Sequence, residues 1–238
     1  MAPPTARQGR MSRRPRLDTV LPDHPHHVIV RGNNRRNLFS YKSCYRAFLG
    51  LVAHASRVLA LPVHALVLMR NHAHIVATPH DASHLSGWVK HFAQRYAARR
   101  NRHRESSGKL FEQRFTAIPI TSERQLAATI PYVELNPVRA GVVEAPSDWR
   151  WSTYRLHAVE GDADPEVAEL WTPHAWWQDL ASDHAARGEA YRDLARHRDE
   201  AARAAAGDVS LEYAHRIERP DRSSAADGDR PVYRKTRT

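Results

Sequence analysis

Two histidines one residue apart, His72-Ala73-His74, lie within "LVLMRNHAHIVATPH" (residues 66–80). Imidazoles are common metal ligands. In a β-strand, residues i and i+2 project from the same face, so both rings would converge on one point. The chain holds 16 histidines in 238 residues, and His24-Pro25-His26 repeats the spacing. Composition alone yields roughly one such pair by chance. A solvated pair at a hairpin end therefore competes with a metal site, and the surroundings must decide.

Tyr96 is the second candidate. In "ASHLSGWVKHFAQRYAARRNRHR" (82–104), Leu85, Trp88, Val89, Phe92 and Tyr96 recur at helical spacing, forming one apolar stripe that ends at the tyrosine. Arg95, Arg99, Arg100, Arg102 and Arg104 surround that end, and Lys109 follows. One reading makes Tyr96 the end of a core stripe with its hydroxyl reaching solvent. The sharper reading makes it a nucleophile beside a phosphate-binding surface. Phenolate attack on a phosphodiester forms a covalent intermediate, while arginines and a metal neutralise charge on the phosphoryl oxygens. Of the other tyrosines, Tyr41 and Tyr45 belong to an earlier helix outside any arginine cluster. Tyr191, Tyr213 and Tyr233 fall in an acidic tail, and Tyr132 and Tyr154 in or near segments that read as packing.

The elements that would position these groups follow from apolar periodicity. "HHVIVRG" (26–32) reads as a strand ending at a glycine. "KSCYRAFLGLVAHASRVLA" (42–60) has apolar residues at helical spacing, closed by Pro62. "VHALVLM" (63–69) and "HIVATP" (74–79) read as strands around the turn Arg70-Asn71. A helix runs from Ser83 or Ser86 to about Arg102, "LFEQRFTAIPIT" (110–121) reads as a fourth strand, and Ser122 caps a helix over 122–135. The order β-α-β-β-α-β predicts an α+β, ferredoxin-like split βαβ: an antiparallel sheet with two helices on one face. Residues 156–206 read as a helical appendage, in which Trp171, Trp176 and Trp177 can dock on the main body.

Composition bounds the rest. Hydrophobic residues make up 42% of the chain, enough for a core. A single cysteine, Cys44, excludes internal disulfides and cysteine-based zinc fingers. The start, "MAPPTARQGRMSRRPRL", has no apolar segment of a secretory signal. No apolar run reaches the length of a membrane span, so a reducing cytoplasm is the expected compartment. Residues 1–155 carry 24 Lys and Arg against 9 Asp and Glu, net +15, whereas residues 156–238 carry 12 against 17, net −5. A basic body suits a polyanionic partner, because neutralised phosphates release counterions. Residues 1–12 read as a flexible basic extension, and 207–238, polar and acidic, as a disordered tail.

"MRNHAHIVATP", "RYAARRNRHRESSGKLFEQRFTA" and "YVELNPVRAGVV", in this order and spacing, resemble the single-tyrosine HUH transposases, most closely the REP-associated tyrosine transposases. "HHVIVRGNNRRNLF" (26–39) and "WRWSTYR" (149–155) are similar to the same branch. The resemblance covers about residues 13–155, the expected catalytic domain, and "LNPVRAG" is its most specific piece. It implies a transposase or endonuclease that cleaves and rejoins single-stranded or hairpin DNA through a 5′-phosphotyrosine, as a monomer or homodimer outside any membrane. His72 and His74 match its two metal ligands for Mg²⁺ or Mn²⁺, and Tyr96 its nucleophile. Ala73 stands where the family has a bulky apolar residue, and Arg70 where it has proline. Relatives draw a third ligand from about one turn after the tyrosine; here that position is Arg100, which cannot ligate, so Asn101 is the nearest carbonyl donor. Arg31, Arg35, Arg36, Arg114 and Arg139 join the α-helical arginines and Lys109 as expected DNA contacts.

Two other classes compete. A non-catalytic nucleic-acid-binding module on an RRM-like sheet would need stacking aromatics on its central strands, and 63–69 and 110–120 show no such signature. A structural metal protein would need more than two histidines without cysteines.

Overall fold

A computed structural model of the chain describes residues 20–103, 107–159 and 163–206. Strands β1 (His26–Arg31), β2 (Val63–Met69), β3 (His72–Ala77) and β4 (Thr116–Pro119) form one antiparallel sheet in the order β2-β3-β1-β4. Helix α1 (Lys42–Val58) links β1 to β2, and α2 (Ala82–His103) links β3 to β4. This is the expected split βαβ arrangement.

In α1, Tyr45, Phe48, Leu49 and Val52 recur at helical spacing and are buried. Phe48 meets Phe92 and Tyr96 of α2 edge-on, at centroid distances of 5.3 and 5.1 Å. Every residue of β2 and β3 is buried, so this part of the sheet is covered on both faces. Val28, Val30, Ala73 and Ile75 alternate toward the α1–α2 layer. The opposite face is covered by α3 (Glu123–Glu134), which packs on β2 and β3 and is capped by Ser122 as predicted. An RRM-like platform needs an open sheet face, which these strands do not offer.

β4 is shorter than the predicted 110–121. Residues 110–115 instead follow the end of β1 through isolated bonds, Asn33 N–H to the Leu110 carbonyl and Glu112 N–H to the Arg31 carbonyl. Exposed Thr116 and Ile118 and the donor-less Pro119 mark β4 as a sheet edge. Gly32 is required where β1 turns away, because a Cβ there would lie 2.1 Å from the Arg36 carbonyl oxygen.

The chain then forms α4 (Asn136–Arg139), α5 (Tyr154–Ala158), α6 (Pro165–Leu170), α7 (Ala175–Gln178) and α8 (His184–Ala206). The outer edge of β2 is occupied: Leu68 N–H donates to Trp151, Thr153 N–H to Leu66 and Thr172 N–H to Val63. The Trp171 indole donates to the His64 carbonyl, Trp177 is buried, and Trp176 is half-buried. Helix α8 packs on α3 and α5. The predicted basic extension (1–12), the tail (207–238) and Arg104 lie outside the described residues. No helix among the described residues is long and apolar enough to cross a membrane.

Candidate active site

β3 carries His72 and His74 on one face, with ring centroids 4.8 Å apart. Both are nearly inaccessible to solvent. Burial lowers the His72 pKa to about 3, helped by the nearby Arg31 charge. Burial likewise takes His74 well below the ordinary value, with His72, His27 and Arg31 adding to the effect. Both rings are therefore neutral near pH 7 and keep a lone pair for a cation.

Their partners differ. The His72 Nδ1–H donates to Asn71 Oδ1 at 2.6 Å, and the Asn71 amide in turn donates to the Arg35 carbonyl. A carbonyl oxygen only accepts, so the His72 proton is on Nδ1 and the lone pair on Nε2. His74 Nδ1 lies 2.8 Å from Nε2 of His27, a buried β1 residue. Sequence reasoning had passed over His27, although its place two residues before Ile29, the β3-facing partner of His74, was legible once the strands were paired.

Tyr132, on α3, stands over this cluster. Its ring is edge-on to His27 at 6.0 Å and to His74 at 6.2 Å, and 45% of the residue is exposed. Asn136 follows one turn later, its amide donating to the Tyr132 and Val133 carbonyls. Arg31 pairs in register with His72 and so shares its face, and its Nε is buried without a hydrogen-bond partner.

The predicted nucleophile is elsewhere. Tyr96 is fully buried, its hydroxyl donates to the Leu38 carbonyl at 2.7 Å, and Phe39, Phe48 and Phe111 surround its ring. This enclosure shields the Tyr96 phenol from solvent. Asn101 is on α2 with Tyr96, and its amide fastens the following loop by donating to the Gly108 carbonyl. Arg100, another expected DNA contact, is buried and donates to Cys44 Sγ at 3.2 Å. Arg139 is paired with Asp199 of α8 at 3.1 Å and lies over the Tyr132 ring. Arg35, Arg36, Arg95, Arg99, Arg102, Lys109 and Arg114 are exposed. A cleft of 320 Å³ beside α2 brings Phe111 and Phe115 together with Lys90 and Arg114.

Four residues after Tyr96 stands Arg100, whereas four residues after Tyr132 stands Asn136, an amide donor within "YVELNPVRAG".

Among the described residues, no three His, Cys, Asp or Glu side chains are grouped to hold a metal ion. The two neutral imidazoles, with ordered Nδ1 partners, are nitrogen donors of the kind a divalent cation takes, and Asn136 has a side-chain oxygen one turn from the exposed tyrosine.

Residues 21–136 match the family model described as "Transposase IS200 like". The match takes in both histidines of β3, His27, Tyr132 and Asn136. Over this stretch the chain is similar to the IS200-like transposases. One similar solved structure is a REP-associated tyrosine transposase bound to a REP hairpin, with 20% identity over 65% of this chain and 88% of that one, at a TM-score of 0.48. Another is a candidate transposase from Deinococcus radiodurans R1, with 16% identity over 54% of this chain and 96% of that one, at a TM-score of 0.36. No curated protein matches the chain in sequence.

Proposed function

We propose that the chain is a metal-dependent transposase that cuts and rejoins single-stranded, hairpin-flanked DNA, with Tyr132 in place of Tyr96 as its nucleophile. The observation that carries this reading is the exposed Tyr132 ring edge-on to His74, the inner member of the His72–His74 pair. His72 and His74 would hold Mg²⁺ or Mn²⁺ through Nε2, with Asn136 rather than Asn101 as the amide ligand. When bound, the ion draws charge from the scissile phosphate.

The chain's own groups do the rest. The Tyr132 hydroxyl oxygen bonds to phosphorus and gives up its proton, the bond from phosphorus to the 3′ oxygen breaks, and that oxygen takes up a proton to leave as a 3′-hydroxyl. The strand then remains on the protein as a 5′-phosphotyrosine, and attack by a 3′-hydroxyl reverses the step to rejoin DNA. Arg31, beside His72, supplies a fixed cation for the phosphate. Exposed arginines and Lys109 track the backbone, and the cleft with Phe111 and Phe115 offers apolar faces of the kind on which unpaired bases stack.

Incubation with labelled single-stranded hairpin DNA and Mn²⁺ should give a protein–DNA adduct that survives a denaturing gel. Its absence with every hairpin and both metals would leave binding without catalysis.

A further inference from the structure

His72 and His74 have matching geometry at Nδ1 but unlike partners. Asn71 Oδ1 can only accept, so it fixes one tautomer of His72. The partner of His74 is a second imidazole, His27, whose Nε2 can either donate or accept. If His27 donates, the His74 proton sits on Nε2 and blocks the position a cation needs. If His27 accepts, His74 presents a lone pair at Nε2, as His72 does.

The geometry points to His27 as a positioning residue for His74: its Nε2 accepts the His74 Nδ1 proton and holds the His74 Nε2 lone pair toward the ion. The inference rests on the reading of His72 and His74 as metal ligands. Three features of the fold support it. The two ring planes lie within 26° of each other, with centroids 5.0 Å apart across the bond, so the bond also fixes the orientation of His74. Both residues are buried, which keeps water from competing for the bond. The Tyr132 ring touches both, so the same pair lies directly beneath the group proposed to attack. Groups that orient a metal-ligating histidine through its second nitrogen typically govern affinity by 10- to 100-fold.

The test is Mn²⁺ affinity of the full chain, without DNA and at fixed pH, followed by paramagnetic resonance of the free ion. His27→Phe keeps a ring of similar size but cannot accept, and affinity should fall about 10- to 100-fold. His27→Gln restores an accepting oxygen, and should recover most of that loss. Nitrogen NMR of the metal-free chain gives a second readout: His74 should be protonated at Nδ1 in the wild type and in His27→Gln, and mixed between tautomers in His27→Phe. Wild-type affinity in His27→Phe, or a Gln variant no tighter than Phe, overturns the proposal. If His72→Ala binds Mn²⁺ as tightly as the wild type, the metal reading of the β3 pair itself is wrong.

Discussion

Tyr96 and Tyr132 lie on opposite sides of one sheet, each on a helix and each near arginine. On α2, Tyr96 closes an apolar stripe, and its hydroxyl is spent on a backbone carbonyl inside an aromatic core. On α3, Leu126, Ile130 and Val133 form the buried stripe, and Tyr132 lies about 100° around the helix from Val133. It therefore leans out over the sheet edge of that stripe, above the histidines. The contrast separates two requirements that a sequence pattern merges. A stripe fixes a side chain by burying it, whereas a nucleophile must be fixed and still be reachable.

The largest effect should come from removing one oxygen at each place. Tyr132→Phe should eliminate the adduct and strand cleavage while leaving hairpin affinity and melting temperature nearly unchanged. Tyr96→Phe should keep the adduct and instead lose about 1–3 kcal/mol of stability, because the Leu38 carbonyl is left buried and unpaired. Adduct formation by Tyr132→Phe, or its loss in a folded Tyr96→Phe, reverses the assignment.

The next effect concerns what holds α3 from behind. Glu134, two residues after Tyr132, is fully buried; it bonds His157 Nδ1 at 2.8 Å and accepts from Thr153 and from Tyr191 of α8. Burial raises the Tyr191 pKa well above that of an ordinary phenol, with the Glu134 charge adding to it, so Tyr191 stays a donor. Tyr191→Phe should cost about 1–3 kcal/mol in a denaturant titration. It should also lower the cleavage rate at unchanged DNA affinity, since α3 would lose an anchor close to Tyr132. A stability loss with an unaltered rate would show that the anchor serves folding alone.

Much of this fold was legible because burial follows periodicity. The strands 63–69 and 74–79, the helix over 42–60 and the Ser122 cap each came from local patterns that the structure repeats within a few residues. Two features were not. Residues 110–115 look like a strand, but their backbone groups bond Arg31 and Asn33, on either side of Gly32, instead of extending β4, a tertiary choice invisible in the pattern. Glu134 stands on the buried stripe of α3 as an acid, and only its partners from α5, α8 and the 149–153 segment make that tolerable. The site divides the same way: His72 and His74 were marked by spacing, whereas His27 and Tyr132 join them only through strand pairing and helix packing.

A smaller effect should follow pH. Burial lowers His27 and His64 to about 4 each. In the unfolded chain both titrate near the ordinary value of about 6.5. Their neutral forms thus favour the fold above that value, and stability falls as pH drops from about 6.5 toward 4, by up to about 1.4 kcal/mol per pH unit for each group. Metal-free unfolding midpoints at pH 7, 6 and 5 should show the decline. The Tyr96 region, without such a histidine, should not add to it, and Tyr96→Phe should shift the curve without changing its slope.

The smallest effect is expected where sequence suggested a strong one. Arg100 belongs to the run of arginines after Tyr96, yet it is only 5% exposed and its Nε and Nη2 have no hydrogen-bond partner among the described residues. Its one bond goes to Cys44 Sγ, a weak acceptor. A buried charge with so little compensation contributes little to stability, and an apolar replacement of similar length is often neutral or better. Arg100→Met should therefore leave the melting temperature unchanged or raise it slightly. Hairpin affinity and its salt dependence should also stay the same, because a buried guanidinium neutralises no phosphate. Arg99, its exposed neighbour, provides the comparison: Arg99→Gln should reduce the log–log salt slope by about 0.7 if it contacts one phosphate of a single strand. Equal slopes for wild type and Arg99→Gln would detach the exposed arginines of α2 from DNA. A reduced slope for Arg100→Met would mean that DNA binding opens the Tyr96 side of the sheet, and the two sides would then differ less than their burial implies.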